Sequence, residues 1–242
     1  MSATASGLRF DPIEQVRAHE YVAEQLRRQL VLRLVGPGDA LPPERELARM
    51  FGVGRATVQR AIAALEAEGL VERRRGRSGG TFAREARGGP RGLERTLRQI
   101  RKNRRLIAEA LAFRLEIEPA AAGLAAVERG PKDLAAIADA CRRVSEAATD
   151  ADFMKHDTDL HLAVARATRN RFYAQEVERL RIVLDGALVA LPDSELWHDR
   201  SNHEHEVIRA ALATGDERAA REAMRFHVEH TDRSIKALLE AL

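Results

Sequence analysis

Cysteine is almost missing from this sequence: Cys141 is the single one among 242 residues. One thiol cannot build a disulfide framework within a chain, so the protein is expected to work in a reducing compartment, the cytoplasm. Aromatic residues are scarce at 4%, which argues against binding single-stranded nucleic acid on stacked ring platforms. No stretch approaches the ~18 uninterrupted apolar residues of a membrane span. The opening MSATASGLRFDPIEQ has no apolar signal core, so no membrane partner is expected.

What is present is charge and helix-forming residues. Charged residues make up 32% and hydrophobic residues 45%, with Ala, Leu, Glu and Arg abundant, a composition that favours helix. The length suits two domains. Residues 1–105 carry 22 Lys and Arg against 12 Asp and Glu, whereas residues 106–242 carry 18 against 25. A basic first part suits a polyanion such as DNA, although a solvated surface would look the same by charge alone.

The pattern along the chain predicts a mainly α protein: an N-terminal winged helix-turn-helix with a small β-hairpin wing over 13–84, a linker at 85–92 (EARGGPRG), and an all-α helical bundle over 93–241. A first helix is expected over 13–34, with Val16, Val22, Ala23, Leu26 and Leu30 at helical spacing, stopped by Gly36-Pro37-Gly38. Pro43 suits a helix first turn, and Leu47, Met50 and Phe51 are expected on its buried face. Gly52-Val53-Gly54 makes a turn. A second helix follows over 55–68, with Val58, Ile62 and Leu65 facing inward and Gly69 as its stop. Strands are expected at 70–73 and 81–84 around the basic loop RRGRSGG. Beyond the linker, helices are expected over 93–129, 132–149, 152–168, 171–191, 200–214 and 216–241.

Two short helices at a tight turn let the second enter the major groove of double-stranded DNA. Thr57, Gln59 and Arg60 lie at the end that would meet base edges; Arg suits guanine and Gln adenine. Arg45 and Arg55 flank the turn and suit phosphates or bases, unless they merely pair with Glu44, Glu46 or Glu66. The stretch LPPERELARMFGVGRATVQRAIAALEAEGLVERRRGRSGGTFA resembles the winged helix-turn-helix of the GntR family of bacterial regulators. The resemblance implies DNA contacts at Arg45, Arg55, Thr57, the position of Gln59, and the wing glycines Gly79 and Gly80. It also implies a homodimer on a pseudo-palindromic operator. Many members have Ser or Thr where this chain has Gly54, Arg in place of Gln59 and Glu in place of Arg60, which points to a different half-site.

Seven of the eight histidines lie in the second half. Asp157 and His161 are four apart and share one helical face; His205 and His227 fall on later helices. One carboxylate and three imidazoles suit a divalent transition metal such as Zn, Ni or Mn, and a helical bundle can hold such ligands in its core. A surface pair at 157 and 161 fits the spacing equally well. The remaining histidines at 156, 198, 203 and 230 are expected on the surface.

The segments FRLEIEPAAAGLAA, DTDLHLAVARATRN, HEHEVIRAALATGD and AAREAMRFHVEH resemble, in order, the FCD ligand-binding domain of the FadR subgroup. That resemblance implies metal ligands at Asp157, His161, His205 and His227, and a small carboxylate effector completing the coordination. It further implies an effector contact at Arg114, whose alternative is a helix-surface pair with Glu118, and repression relieved by the effector. Leu160 departs from an aromatic usual before the first histidine, and only a packing change is expected from it. Two other functions fit the same residues: a metalloenzyme with a DNA-binding appendage, since open metal positions activate water, and an effector-free DNA binder with a structural metal. Glu204 and Glu206 are expected to point away from the ligand they flank, leaving no general acid or base, so no enzyme is expected.

Overall fold

In the computed structural model, residues 18–31, 35–76, 79–84, 89–191 and 195–242 are described. The mainly α fold is borne out, with one antiparallel hairpin among the described residues. The first unit holds α1 (Ala18–Val31), α2 (Glu44–Phe51), α3 (Arg55–Glu68), β1 (Val71–Arg74) and β2 (Gly80–Ala83). Val22, Ala23, Leu26 and Leu30 of α1 pack on Val58, Ile62 and Leu65 of α3 in one buried cluster, as the helical spacing predicts. The expected position Val16, and both ends of the expected first helix, fall outside the described residues. The strands pair Val71 with Ala83 and Arg74 with Gly80, one residue away from the expected strand ends. The α3 bounds agree with expectation because Gly54 and Gly69 punctuate both ends. Gly69 takes φ +77°, its N–H donates to Glu66 O and the next N–H, of Leu70, donates to Leu65 O, a left-handed stop that a Cβ would strain.

Met50 is a correction: it is 63% exposed. A helix of eight residues has room for one narrow buried stripe, which Leu47 and Ala48 fill, with Phe51 at its edge.

The second unit contains α4 (Gly89–Lys102), α5 (Arg104–Glu128), α6 (Pro131–Ser145), α7 (Asp150–Ala167), α8 (Arg171–Val189), α9 (Glu195–Thr214) and α10 (Glu217–Ala241). Several expectations change here: α6 stops at Ser145 rather than 149, α9 starts at Glu195 rather than 200, and two differences are larger. Residues 89–92, read as linker, open α4, because a proline in the first turn has no N–H to lose from the helix ladder. The expected single helix over 93–129 is broken at Asn103, whose backbone leaves helical geometry at φ −100°, ψ 13°. Side-chain caps define later starts: Thr149 accepts from Asp152 N, Asn170 from Phe172 N and Asp216 from Ala219 N, each meeting an N–H the helix cannot.

The central helix α5 packs against α7, α8, α9 and α10. The core around it is alanine-rich, with Ala122, Ala125, Ala126, Ala140, Ala167, Ala211 and Ala220 in one cluster beside Leu160, Ile208 and Leu212. Leu160 is 1% exposed, so the aliphatic residue is accommodated in the core. Cys141 of α6 is buried there too, its thiol 3.9 Å from the His205 carbonyl oxygen of α9, and burial pushes its pKa up to about 12. Between the two units, Arg95 of α4 donates to the Ala67 carbonyl at the end of α3 at 2.6 Å.

Candidate metal and effector pocket and nucleic-acid interface

The spacing of Asp157 and His161 turns both side chains from α7 into the bundle, where His205 from α9 and His227 from α10 meet them. One ligand atom from each lies within 4.8 Å of all the others, and all four residues are buried, at 4%, 2%, 1% and 2% exposure respectively. Asp157 is therefore no surface residue. Its Oδ1 is 3.2 Å from His205 Nε2 and 3.7 Å from His161 Nε2, while its Oδ2 accepts from Arg181 of α8. Burial opposes the Asp157 charge, but Arg181, then His161 and His205, outweigh it and hold the carboxyl well below its ordinary range.

Carboxylates orient two of the three histidines. His161 Nδ1 meets the Glu118 carboxylate, and His227 Nδ1 meets Glu204 Oε2 at 2.9 Å. A carboxylate only accepts when ionised, so each Nδ1 carries the hydrogen and each Nε2 is bare. Yet the two Nε2 atoms lie 3.2 Å apart. Burial disfavours a second proton on either ring: it lowers the His161 pKa and brings that of His227 down to about 3. Two lone pairs thus face each other beside the Asp157 oxygen, which His205 Nε2 approaches at 3.2 Å, and His205 Nδ1 is buried without a partner. That donor set fits a divalent cation, whose charge removes the repulsion.

Arg181 is not named from the sequence, Glu118 is read there only as a surface partner of Arg114, and Glu204 only as a residue flanking His205. Glu118 is 2% exposed and Glu204 6%. Burial opposes the Glu118 charge, but Arg114, followed by His161, outweighs it, and the carboxyl titrates well below its usual range. Glu204, expected to point away from the ligand it flanks, supports a different one: it reaches across from α9 to His227 and His230 on α10. A small groove beside it is lined by Arg200, Ser201, His230 and Thr231. Of the expected surface histidines, His203 is exposed, whereas His156, His198 and His230 are half-buried.

Arg114 is wholly buried. The pairing with Glu118 is present, its Nε donating to Glu118 Oε1 at 2.8 Å, but inside the bundle rather than on its surface. Its Nη1 lies 3.4 Å from Asp232 Oδ1, and its Nη2 has no partner.

On the first unit, Arg45, Arg55, Gln59 and Arg60 are exposed and Thr57 half-buried along α2 and the start of α3. Arg55 Nη2 lies 3.4 Å from Glu44 Oε2, and Gln59 donates to the same oxygen at 2.9 Å. Glu66 is engaged by Arg73 instead. Glu44 therefore holds two of the candidate base readers and releases them at the cost of one exposed ion pair, a small term. In the wing, a Cβ on Gly79 would lie 2.5 Å from Arg74 O, so only glycine fits. Gly80 would meet only ordinary contact, 3.5 Å from the Phe82 ring.

Residues 18–82 match the family of bacterial regulatory proteins, gntR family, and residues 109–230 match the FCD domain. This chain belongs to the GntR family and carries an FCD domain. The regulator is 43% identical over 70 residues to the HTH-type transcriptional regulator RmpR of Mycobacterium gastri, covering 29% of this chain and 26% of that protein. The chain thus spans about a quarter of the length of that relative. It is 29% identical over 239 residues to the HTH-type transcriptional repressor NanR of Salmonella newport, covering 96% of this chain and 90% of NanR. The solved structure of E. coli McbR/YncC superposes with a TM-score of 0.53 at 18% identity, covering 92% and 99% of the two chains, which bears on the fold alone. RmpR and NanR are transcriptional regulators, not enzymes, and no described helix is long and apolar enough to cross a membrane.

Proposed function

We propose that the regulator is a homodimeric repressor of the FadR subgroup, working in the cytoplasm, whose operator affinity is set by a small carboxylate effector in a metal-containing pocket. We divide it into a DNA-binding unit at 13–84, a connection at 85–92 whose last four residues already belong to α4, and a sensing unit at 93–241. Asp157, His161, His205 and His227 would hold the metal, Zn, Ni or Mn, which supplies a Lewis-acidic positive centre for a carboxylate. Arg114 offers a second positive contact to the same anion. Arg45, Arg55, Thr57, Gln59, Arg60, Gly79 and Gly80 would face operator DNA.

The observation that carries this reading is the meeting of bare Nε2 atoms on His161 and His227 at 3.2 Å, a buried arrangement that two neutral imidazoles alone do not favour. Switching requires the effector to bind the DNA-competent and DNA-free forms unequally. The decisive experiment measures metal in untagged protein prepared without chelator, alongside His161→Ala with His227→Ala. About one divalent ion per wild-type chain, lost in the variant, is expected. A wild type that binds operator but holds no metal sinks the metal pocket and leaves a regulator with an ordinary organic site.

A further inference from the structure

Glu44 joins the two helices of the DNA-reading unit. It is the first residue of α2, where the unmet N–H groups of the first turn favour its negative charge, and its side chain is only 23% exposed. From there its Oε2 accepts from Gln59 Nε2 at 2.9 Å, with Arg55 Nη2 at 3.4 Å from the same oxygen. Arg55 and Gln59 are four residues apart and share one face of α3. Letting Arg55 go to a phosphate breaks an exposed ion pair and costs little. Gln59 has no need to let go. Its amide carries two N–H groups and an oxygen, so one N–H can stay on Glu44 while the rest meets a base.

The two ends of an amide have nearly the same shape and opposite hydrogen-bonding character. A carboxylate accepts and does not donate, so Glu44 holds the NH2 end of Gln59 and repels the oxygen end. An arginine in this place, with donors at every nitrogen, would show DNA the same character whichever nitrogen Glu44 took. For glutamine the contact matters. The remaining N–H and Oε1 become a donor and an acceptor side by side, in a fixed order. Adenine presents the complement, an N7 acceptor beside an N6 donor, whereas guanine presents two acceptors, N7 and O6. An amide free to turn over could offer its NH2 end to guanine instead. Resting on the assignment of Gln59 to the operator-facing surface, we propose that Glu44 is a positioning residue, which fixes the Gln59 amide in the order that accepts adenine and rejects guanine.

The test uses the full chain. An operator is selected from a random duplex pool with the wild type, and its single-substituted versions are titrated at one salt concentration. Wild type is expected to prefer adenine over guanine by about fivefold or more at one position of each half-site. Glu44→Gln keeps the length and a hydrogen bond to Gln59, but an amide pairs with either end of another amide. The preference is therefore expected to shrink to about twofold or less, with an unchanged melting temperature. The lost charge acts alike on every sequence and cancels in that ratio. In a Gln59→Ala background, which has no preference at that position, Glu44→Gln is expected to change nothing further. Full preference in Glu44→Gln would overturn the inference. So would a shift in the Gln59→Ala background, because Glu44 would then read the base itself. If no duplex is enriched, or Gln59→Ala alters no base preference, Gln59 is not a base reader, and its operator assignment fails together with this inference.

Discussion

His161 and His227 each commit the Nδ1 hydrogen to a glutamate, which fixes the tautomer and orients the bare Nε2. Removing that support is expected to act on metal affinity before stability. Glu118→Gln should weaken binding by about 10- to 100-fold in competition with a chromogenic chelator. The lowered pKa values also give a direction with pH for the metal-free protein. His227 titrates at about 3 when folded against 6.5 ordinarily, so between those values the unfolded chain binds more protons. His161, Glu118 and Asp157 are shifted downward as well. Their stabilisation is present above the ordinary pKa of each group and is lost as pH falls. Asp232, raised to about 6, acts oppositely, but over a narrower window than His227. Melting temperature of chelator-treated protein is expected to fall steadily from pH 6.5 to pH 4; a flat profile would contradict the buried neutral histidines. The sequence exposed half of this site. Four-residue spacing placed Asp157 beside His161, because helix geometry is local. Glu118 stayed hidden because its spacing from Arg114 is the same in a surface pair and in a buried one. Glu204 stayed hidden because only the packing of α9 on α10 brings it to His227.

At the scale of elements, punctuation decided what was legible. Gly54 and Gly69 bound α3 so tightly that its ends could be read directly, while Pro90 suggested a linker where a helix begins. The same glycine at the start of α3 leaves its first turn without a side-chain cap. Gly54→Ser is expected to add a few tenths of a kcal/mol, seen as a small rise in denaturation midpoint. In the wing, Gly79→Ala places a methyl group against Arg74 O. Operator affinity should fall while the core, which lies on the far side of the hairpin at Val71 and Ala83, keeps its melting temperature nearly unchanged. Gln59→Arg should move the base preference at one half-site position from adenine towards guanine, a change worth about 1–3 kcal/mol of discrimination, readable from binding to a panel of single-substituted operators.

Across the whole molecule, composition had already announced the mostly helical build, but not how closely the helices approach. The abundance of alanine at the centre of the bundle is what lets α7, α9 and α10 bring four ligand atoms within 4.8 Å, since each larger side chain would hold two helix axes further apart. Ala125→Leu is accordingly expected to cost about 1–3 kcal/mol and to lower metal occupancy together with stability. The lone thiol sits in this same seam, between α6 and the backbone of His205. Because the chain has no other cysteine, a thiol-alkylating reagent has a single address. Its rate of reaction with native protein counts how often α6 and α9 part. The molecule therefore carries its own stopwatch: any compound that tightens the sensing unit slows that one reaction, with no label to install and no operator present.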